Sequence, residues 1–225
     1  MLSFDHPLIA RGFQRPLAQS TPLTSGYPAL DQALGGGWPA TGVGLVETPL
    51  GIGELRLLLP LAQQVTQEHW LALINPPHPL QSDAWQHAGV DLERLLLIHT
   101  ESGKKQLWSA EQCLKSGLCR LVITWCDRLT VTHIKRLQLA ASEGDALLLV
   151  LRSPHARGGA LPVHLRLQLR AHARGVQVAV LKQRGGWPVP AFVVAMHTHW
   201  PDLVVPERAP NITPFVRQPA ARHAG

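Results

Sequence analysis

The run Glu47-Thr-Pro-Leu-Gly-Ile-Gly-Glu-Leu55 follows a short apolar stretch, Val43–Val46, and precedes a helical pattern. That is the setting in which backbone N–H groups and a helix N-terminus converge on phosphate. A nucleotide-binding loop of this kind reads G-x-x-x-x-G-K-[ST], its Lys meeting the β/γ-phosphates and its hydroxyl holding Mg²⁺. Here Gly53 keeps the last glycine position and Gly51 lies inside the loop, but Thr48 stands at the first glycine, Glu54 at the Lys and Leu55 at the Ser/Thr. A unit charge about 4 Å from a phosphate charge is worth roughly 4 kcal/mol at an effective dielectric near 20, so Lys to Glu reverses a large favourable term. At a helix N-terminus Glu54 instead suits the dipole, by about 0.3–1 kcal/mol. The sequence therefore predicts no ATP binding in the usual mode, no cofactor and no catalytic residue.

Other chemistries have weaker support. Cys113, Cys119 and Cys126 form no C-x-x-C pair, and the twelve histidines form no H-E-x-x-H, so no metal site is expected. Cys119 and Cys126 read as buried thiols, and no G-x-S-x-G elbow supports a hydrolase. Among the tryptophans, Trp70 and Trp125 fall inside apparent strands and read as core; Trp38 and Trp187, in loops, are the better interaction candidates. Arg157, Arg166, Arg170, Lys182 and Arg184, with Gly158 and Gly159 allowing close backbone approach, are the candidate DNA- or partner-binding residues. A solvated sheet face is the plainer alternative.

The elements that must position these residues alternate in type. Strands are expected at Val43–Val46, Trp70–Ile74, Leu95–Ile98, Leu121–Trp125 and Ala146–Leu151. Helices are expected at Ile52–Glu68, kinked or shortened at Pro60, at Gln81–His87, at Lys104–Ser116, and from a Thr130 cap to Ser142. This order argues for a mostly parallel sheet with helices on both faces. After Arg152 strict alternation sets in at Val163–Arg170, followed by Val176–Val180 and Ala191–Met196, which reads as antiparallel strands extending the sheet. Three units follow: an N-terminal arm over 1–22, one α/β domain over 23–200, and a Pro-rich tail over 201–225 expected to be disordered.

Charge is uneven. The net charge is +6, yet residues 1–150 hold 11 Lys/Arg against 13 Asp/Glu, whereas residues 151–225 hold 10 against only Asp202 and Glu207. A basic segment on a near-neutral body suggests a polyanionic partner. No run approaches a membrane span, the N-terminus lacks the pattern of a signal peptide, and the cysteine usage favours a reducing compartment, so the expected location is cytoplasmic.

The stretch Leu23-Thr-Ser-Gly-Tyr-Pro-Ala-Leu-Asp-Gln-Ala-Leu-Gly-Gly-Gly37 with Trp38–Glu47 resembles the approach of RecA recombinases to their phosphate loop, Ala88–Leu97 resembles their third strand and its lead-in, and Arg157–Leu161 with the two following strands resembles their DNA-touching loop and hairpin. The resemblance spans roughly residues 23–199 and implies a RecA-like fold. It also implies that the family's catalytic Glu falls near Asn75-Pro-Pro77 and its Mg²⁺-binding Asp near Trp125, with Asp127 two residues late, so the ATPase residues are lost together. Leu57–Gln64 and Leu121–Thr130 are similar to two degenerate RecA relatives of the SOS response, the ImuA and SulA families; Val176–Gly186 and the tail resemble ImuA. The ImuA resemblance implies a non-catalytic factor in translesion DNA synthesis and mutagenesis. Its partners would be an ImuB-type Y-family polymerase relative, RecA and an error-prone replicative-type polymerase, with single-stranded DNA as a further candidate. The SulA resemblance implies instead a cell-division inhibitor that binds FtsZ; chain length and the strands after 160 weigh against it.

Overall fold

The computed structural model describes residues 21–156, 160–197 and 199–200. Five strands run parallel: β1 (Gly42–Glu47), β2 (Trp70–Ile74), β3 (Leu95–Ile98), β4 (Cys119–Trp125) and β5 (Leu147–Arg152). Three more, β6 (Leu165–His172), β7 (Gly175–Gln183) and β8 (Val189–Ala195), complete an eight-stranded sheet in the order β3-β2-β4-β5-β1-β6-β7-β8. β6 is parallel to β1, and β7 is antiparallel to both of its neighbours. The expected extension by antiparallel strands is thus present, with the difference that β6 continues the parallel part. The architecture is mixed α/β.

Helix α1 (Pro28–Ala33) precedes β1, and helices α2 (Glu54–Thr66), α3 (Ser82–His87), α4 (Gly103–Lys115) and α5 (Val131–Glu143) separate the successive strands β1 to β5. One core lies beneath α1, α2 and α3 and includes Leu30, Leu57, Leu61, Leu73, Ile123, Leu149 and Leu167. The other lies beneath α4 and α5 and includes Val43, Ala72, Leu114, Val122, Ile134 and Leu148. Alternate residues of one strand feed opposite cores, so β1, β4 and β5 are buried on both faces, as an interior parallel strand must be. Each fully buried Leu or Ile contributes about 1.5–3 kcal/mol of transfer free energy.

Three positions depart from the sequence reading. Pro60 does not break its helix: α2 runs unbroken from Glu54 to Thr66. Pro60 has no N–H for the Arg56 carbonyl, and the Tyr27 hydroxyl donates to that carbonyl at 3.0 Å. Gly26 lets the segment close on the ring, since a Cβ there would lie 2.5 Å from Pro60 Cβ. Trp38, read as a loop residue available for interaction, is fully buried. Its backbone pairs with Leu23 in both directions (2.9 and 2.7 Å), closing the Leu23–Trp38 excursion, while Asp31 accepts from Ser25 N–H and Thr24 Oγ1, both at 2.7 Å. Trp70 is the converse: placed in the core by its strand position, it is 40% exposed at the start of β2.

Candidate functional site

The loop that follows β1 lies at the carboxyl end of the parallel strands, where open α/β sheets place their ligands. Gly53 adopts φ 103° and hands the chain to α2. Glu54, the first residue of α2, is buried, and its Oε1 accepts from the N–H of Gly51 at 3.1 Å. The carboxylate thus folds back and takes one of the loop N–H groups that would otherwise face an anion. Its other oxygen is buried without a partner. Leu55, at the position where a hydroxyl would hold Mg²⁺, is half-buried against the core.

Above the strand ends is a cavity of ≈ 350 Å³ whose lining includes Thr48, Pro77, Trp125, Asp127, Arg152 and Ser153. The fold therefore brings together the degenerate loop, the proline near the expected catalytic Glu, and the tryptophan in place of the expected Mg²⁺-binding Asp. Asp127, two residues late, accepts from the Ser153 N–H at 2.8 Å. Asn75 also serves structure: in a left-handed conformation (φ 51°), its side chain accepts from Thr100 N–H at 2.7 Å and donates to Thr100 Oγ1 at 3.0 Å.

An ion cluster that the motifs did not announce lies at the edge of this cavity. Glu47, Arg152 and Arg166 come from the ends of β1 and β5 and from β6. Glu47 Oε1 accepts from Arg152 Nε at 3.2 Å and from Arg152 Nη2, and also from Arg166 Nη2 at 2.8 Å. Side-chain exposure is only 6% for Glu47 and 4% for Arg152. Burial pushes the Glu47 carboxyl up, but the hydrogen bonds and charges of the two arginines outweigh it and hold the group below the usual carboxylate range. The one sequence signal was a pair of opposite charges closing two apolar runs, Val43–Glu47 and Ala146–Arg152.

The candidate basic residues separate into groups. Arg157, Gly158 and Gly159 lie outside the described residues. Arg166 is not a free cation, because Glu47 holds it, although its buried Nε has no partner. Lys182 is its register partner across the β6–β7 ladder and is exposed. Arg184, also exposed, places Nη1 3.4 Å from His164 Nε2. Burial, then the charges of Arg184 and Lys182, lowers the His164 pKa. Arg170 lies four residues further along β6, roughly 13 Å away at strand spacing, opposite Gln177. Trp187, 85% exposed, projects from the β7–β8 turn. Among the described residues no cluster of three His, Cys, Asp or Glu side chains could hold a metal, and no helix is long and apolar enough to cross a membrane.

Comparison with known proteins decides between the two resemblances. The family model described as the cell division inhibitor SulA matches residues 48–148. SulA of Citrobacter koseri is 32% identical over 118 residues, covering 52% of this chain and 70% of that protein. SulA of Erwinia pyrifoliae is 33% identical over 116 residues, covering 50% and 69%. The chain belongs to the SulA family. SulA of Pseudomonas aeruginosa is 29% identical over 153 residues, covering 62% of this chain and 92% of the relative. The crystal structure of that SulA superposes with a TM-score of 0.44 at 28% identity, over 49% of this chain and 97% of that one.

Membership in the SulA family corrects the preference for ImuA. The translesion and mutagenesis function falls with it, as do the ImuB-type relative, RecA, the replicative-type polymerase and DNA as partners: the matching relatives are cell-division inhibitors. The error lay in weighting the residues after Arg152. The matched segment ends at residue 148, inside β5, so β6, β7 and β8 lie beyond it and do not argue against the family.

Proposed function

We propose that this chain is a cell-division inhibitor of the SOS response that works by binding the division protein FtsZ, without turnover chemistry of its own. The observation that carries the reading is the SulA match over residues 48–148, the segment that contains most of the degenerate loop and the parallel strands β2, β3 and β4. The geometry of the loop supports it: a carboxylate accepts from the N–H of Gly51, and no lysine stands where one would meet a triphosphate. A RecA-like origin for the sheet is part of the same reading, supported by a phosphate-loop position that follows a central parallel strand. Arg170, Lys182, Arg184 and Trp187, exposed on and beside β6 and β7, are proposed as an auxiliary surface for a negatively charged partner.

The test is direct. Induced expression in a rod-shaped bacterium is expected to give filaments with segregated nucleoids and no septa. With purified components the chain should lower the amount of sedimentable FtsZ polymer formed with GTP, in proportion to the amount added and with saturation near equimolar ratio. Normal division together with undiminished polymer at molar excess would overturn the reading.

A further inference from the structure

Between α4 and α5 runs a groove of ≈ 530 Å³ to which the sequence motifs gave no role. Its floor is apolar, formed in part by Leu107 and Leu137, and its rim carries Trp108, whose side is open to solvent (60% exposed). A large aromatic left exposed beside an apolar groove costs solvation in the free protein and is the side-chain type most enriched at protein-binding hot spots. Three cations, Lys104, Arg128 and Arg136, line the same groove. The one carboxylate among them, Glu111, is already matched twice, by Lys115 at 2.9 Å and by Arg136. Among the described residues Lys104 and Arg128 have no carboxylate partner.

The backbone adds to this surplus. Both helices follow strands of the parallel sheet, so both begin at its carboxyl edge. Gly103 and Lys104 open α4, and His133 lies in the first turn of α5; all three line the groove. The positive ends of two 13-residue helices therefore meet at one end of it. The chain's own terminal segments do not supply a matching charge, since residues 1–20 hold Asp5 against Arg11 and Arg15, and residues 201–225 hold two acids against three arginines.

We propose that the α4–α5 groove is the docking site for an acidic segment of the protein partner, one that lays an apolar side chain beside Trp108 and carboxylates against Lys104 and Arg128. The inference rests on the reading of this chain as a protein-binding inhibitor and assigns that function a surface. Because Trp108 is exposed and Lys104 and Arg128 are unpaired, substitutions there leave the fold intact.

The experiment uses the full chain with ¹⁵N-labelled indoles, the Trp108 resonance being identified by its loss in Trp108→Phe. The first probe is a short synthetic peptide with two leucines between aspartates and glutamates; its counterpart has lysines at the acidic positions. The acidic peptide should shift the Trp108 resonance, the basic one should not, and Lys104→Glu with Arg128→Glu should weaken binding at least tenfold. Leu118→Ala, at an exposed apolar site before β4, should change nothing. No shift, or equal shifts with both peptides, overturns the proposal; so does dimerisation abolished by Trp108→Ala without any peptide response, which would assign the groove to a second copy. The second probe is purified FtsZ. A tenfold loss of binding in Trp108→Ala supports the groove as its site, whereas wild-type affinity in that variant overturns the groove and leaves the inhibitor function standing. If the wild-type chain fails to bind FtsZ, the inhibitor reading falls and the peptide result alone decides the groove.

Discussion

The hydroxyl of Tyr27 donates to the Arg56 carbonyl that Pro60, four residues on, cannot reach with an N–H. This contact ties the Thr24-Ser-Gly-Tyr segment to the middle of α2 and gives a partner to the carbonyl that the proline inside the helix leaves without its N–H. Tyr27→Phe should destabilise the protein by about 1–3 kcal/mol, the usual effect of orphaning a buried carbonyl. The same change in a Pro60→Ala background should be milder, because alanine restores the N–H. Denaturant unfolding of the two single variants and the double variant gives the coupling; strict additivity would mean that the tyrosine acts through packing alone.

Removing one member of the Glu47–Arg152 pair leaves a buried charge. Glu47→Gln is therefore expected to cost about 3–5 kcal/mol at neutral pH, and a Glu47→Leu/Arg152→Met double variant distinctly less than the two single changes together. The pH dependence has a fixed sign. A carboxyl with a lowered folded-state pKa contributes stability above its unfolded pKa, about 4.3, and loses it as pH falls through the folded value. The gap in unfolding free energy between wild type and Glu47→Gln should accordingly narrow on acidification. A gap that stays constant from neutral pH down to pH 3 would show that the Glu47 charge has no part in it.

The loop after β1 should be indifferent to nucleotide. A ligand present at 100 times its Kd would stabilise the fold by about 2.7 kcal/mol, so even modest Mg-ATP binding would register as a rise in Tm. No rise is expected. Glu54→Ala removes the acceptor for the Gly51 N–H and the favourable dipole contact, and should cost about 0.5–2 kcal/mol. A rise in Tm with Mg-ATP in the wild-type chain would contradict the closed loop.

The auxiliary basic surface is testable by charge reversal. Lys182→Glu with Arg184→Glu should slow association with FtsZ at low salt and flatten its salt dependence while leaving dissociation nearly unchanged, the pattern of steering by rim charges. An unchanged association rate at low ionic strength would remove these residues from the interface.

Much of the fold is legible along the chain because its signals are local. Apolar runs bounded by turn residues gave the parallel strands, Thr130 and Gly144 gave both ends of α5, and strict alternation after Val163 gave the inner face of β6. Family assignment was harder, since the residues after Arg152 drew weight that belonged to the matched segment before them.

By itself the sequence determined that the loop after β1 lacks the lysine and hydroxyl of a nucleotide-binding loop, and the expectation of lost phosphate binding follows from charge without coordinates. Tertiary structure decided which distant residues meet. Glu47 and Arg152 are 105 positions apart and become register partners only because β5 lies beside β1; Arg166 joins them only because β6 continues the sheet in parallel on the other side. The exposure of Trp108 and the burial of Trp38 were decided there too. Sequence spacing does not say which neighbour covers a side chain, whereas the backbone pairing of Leu23 with Trp38 and the packing of α4 against α5 do.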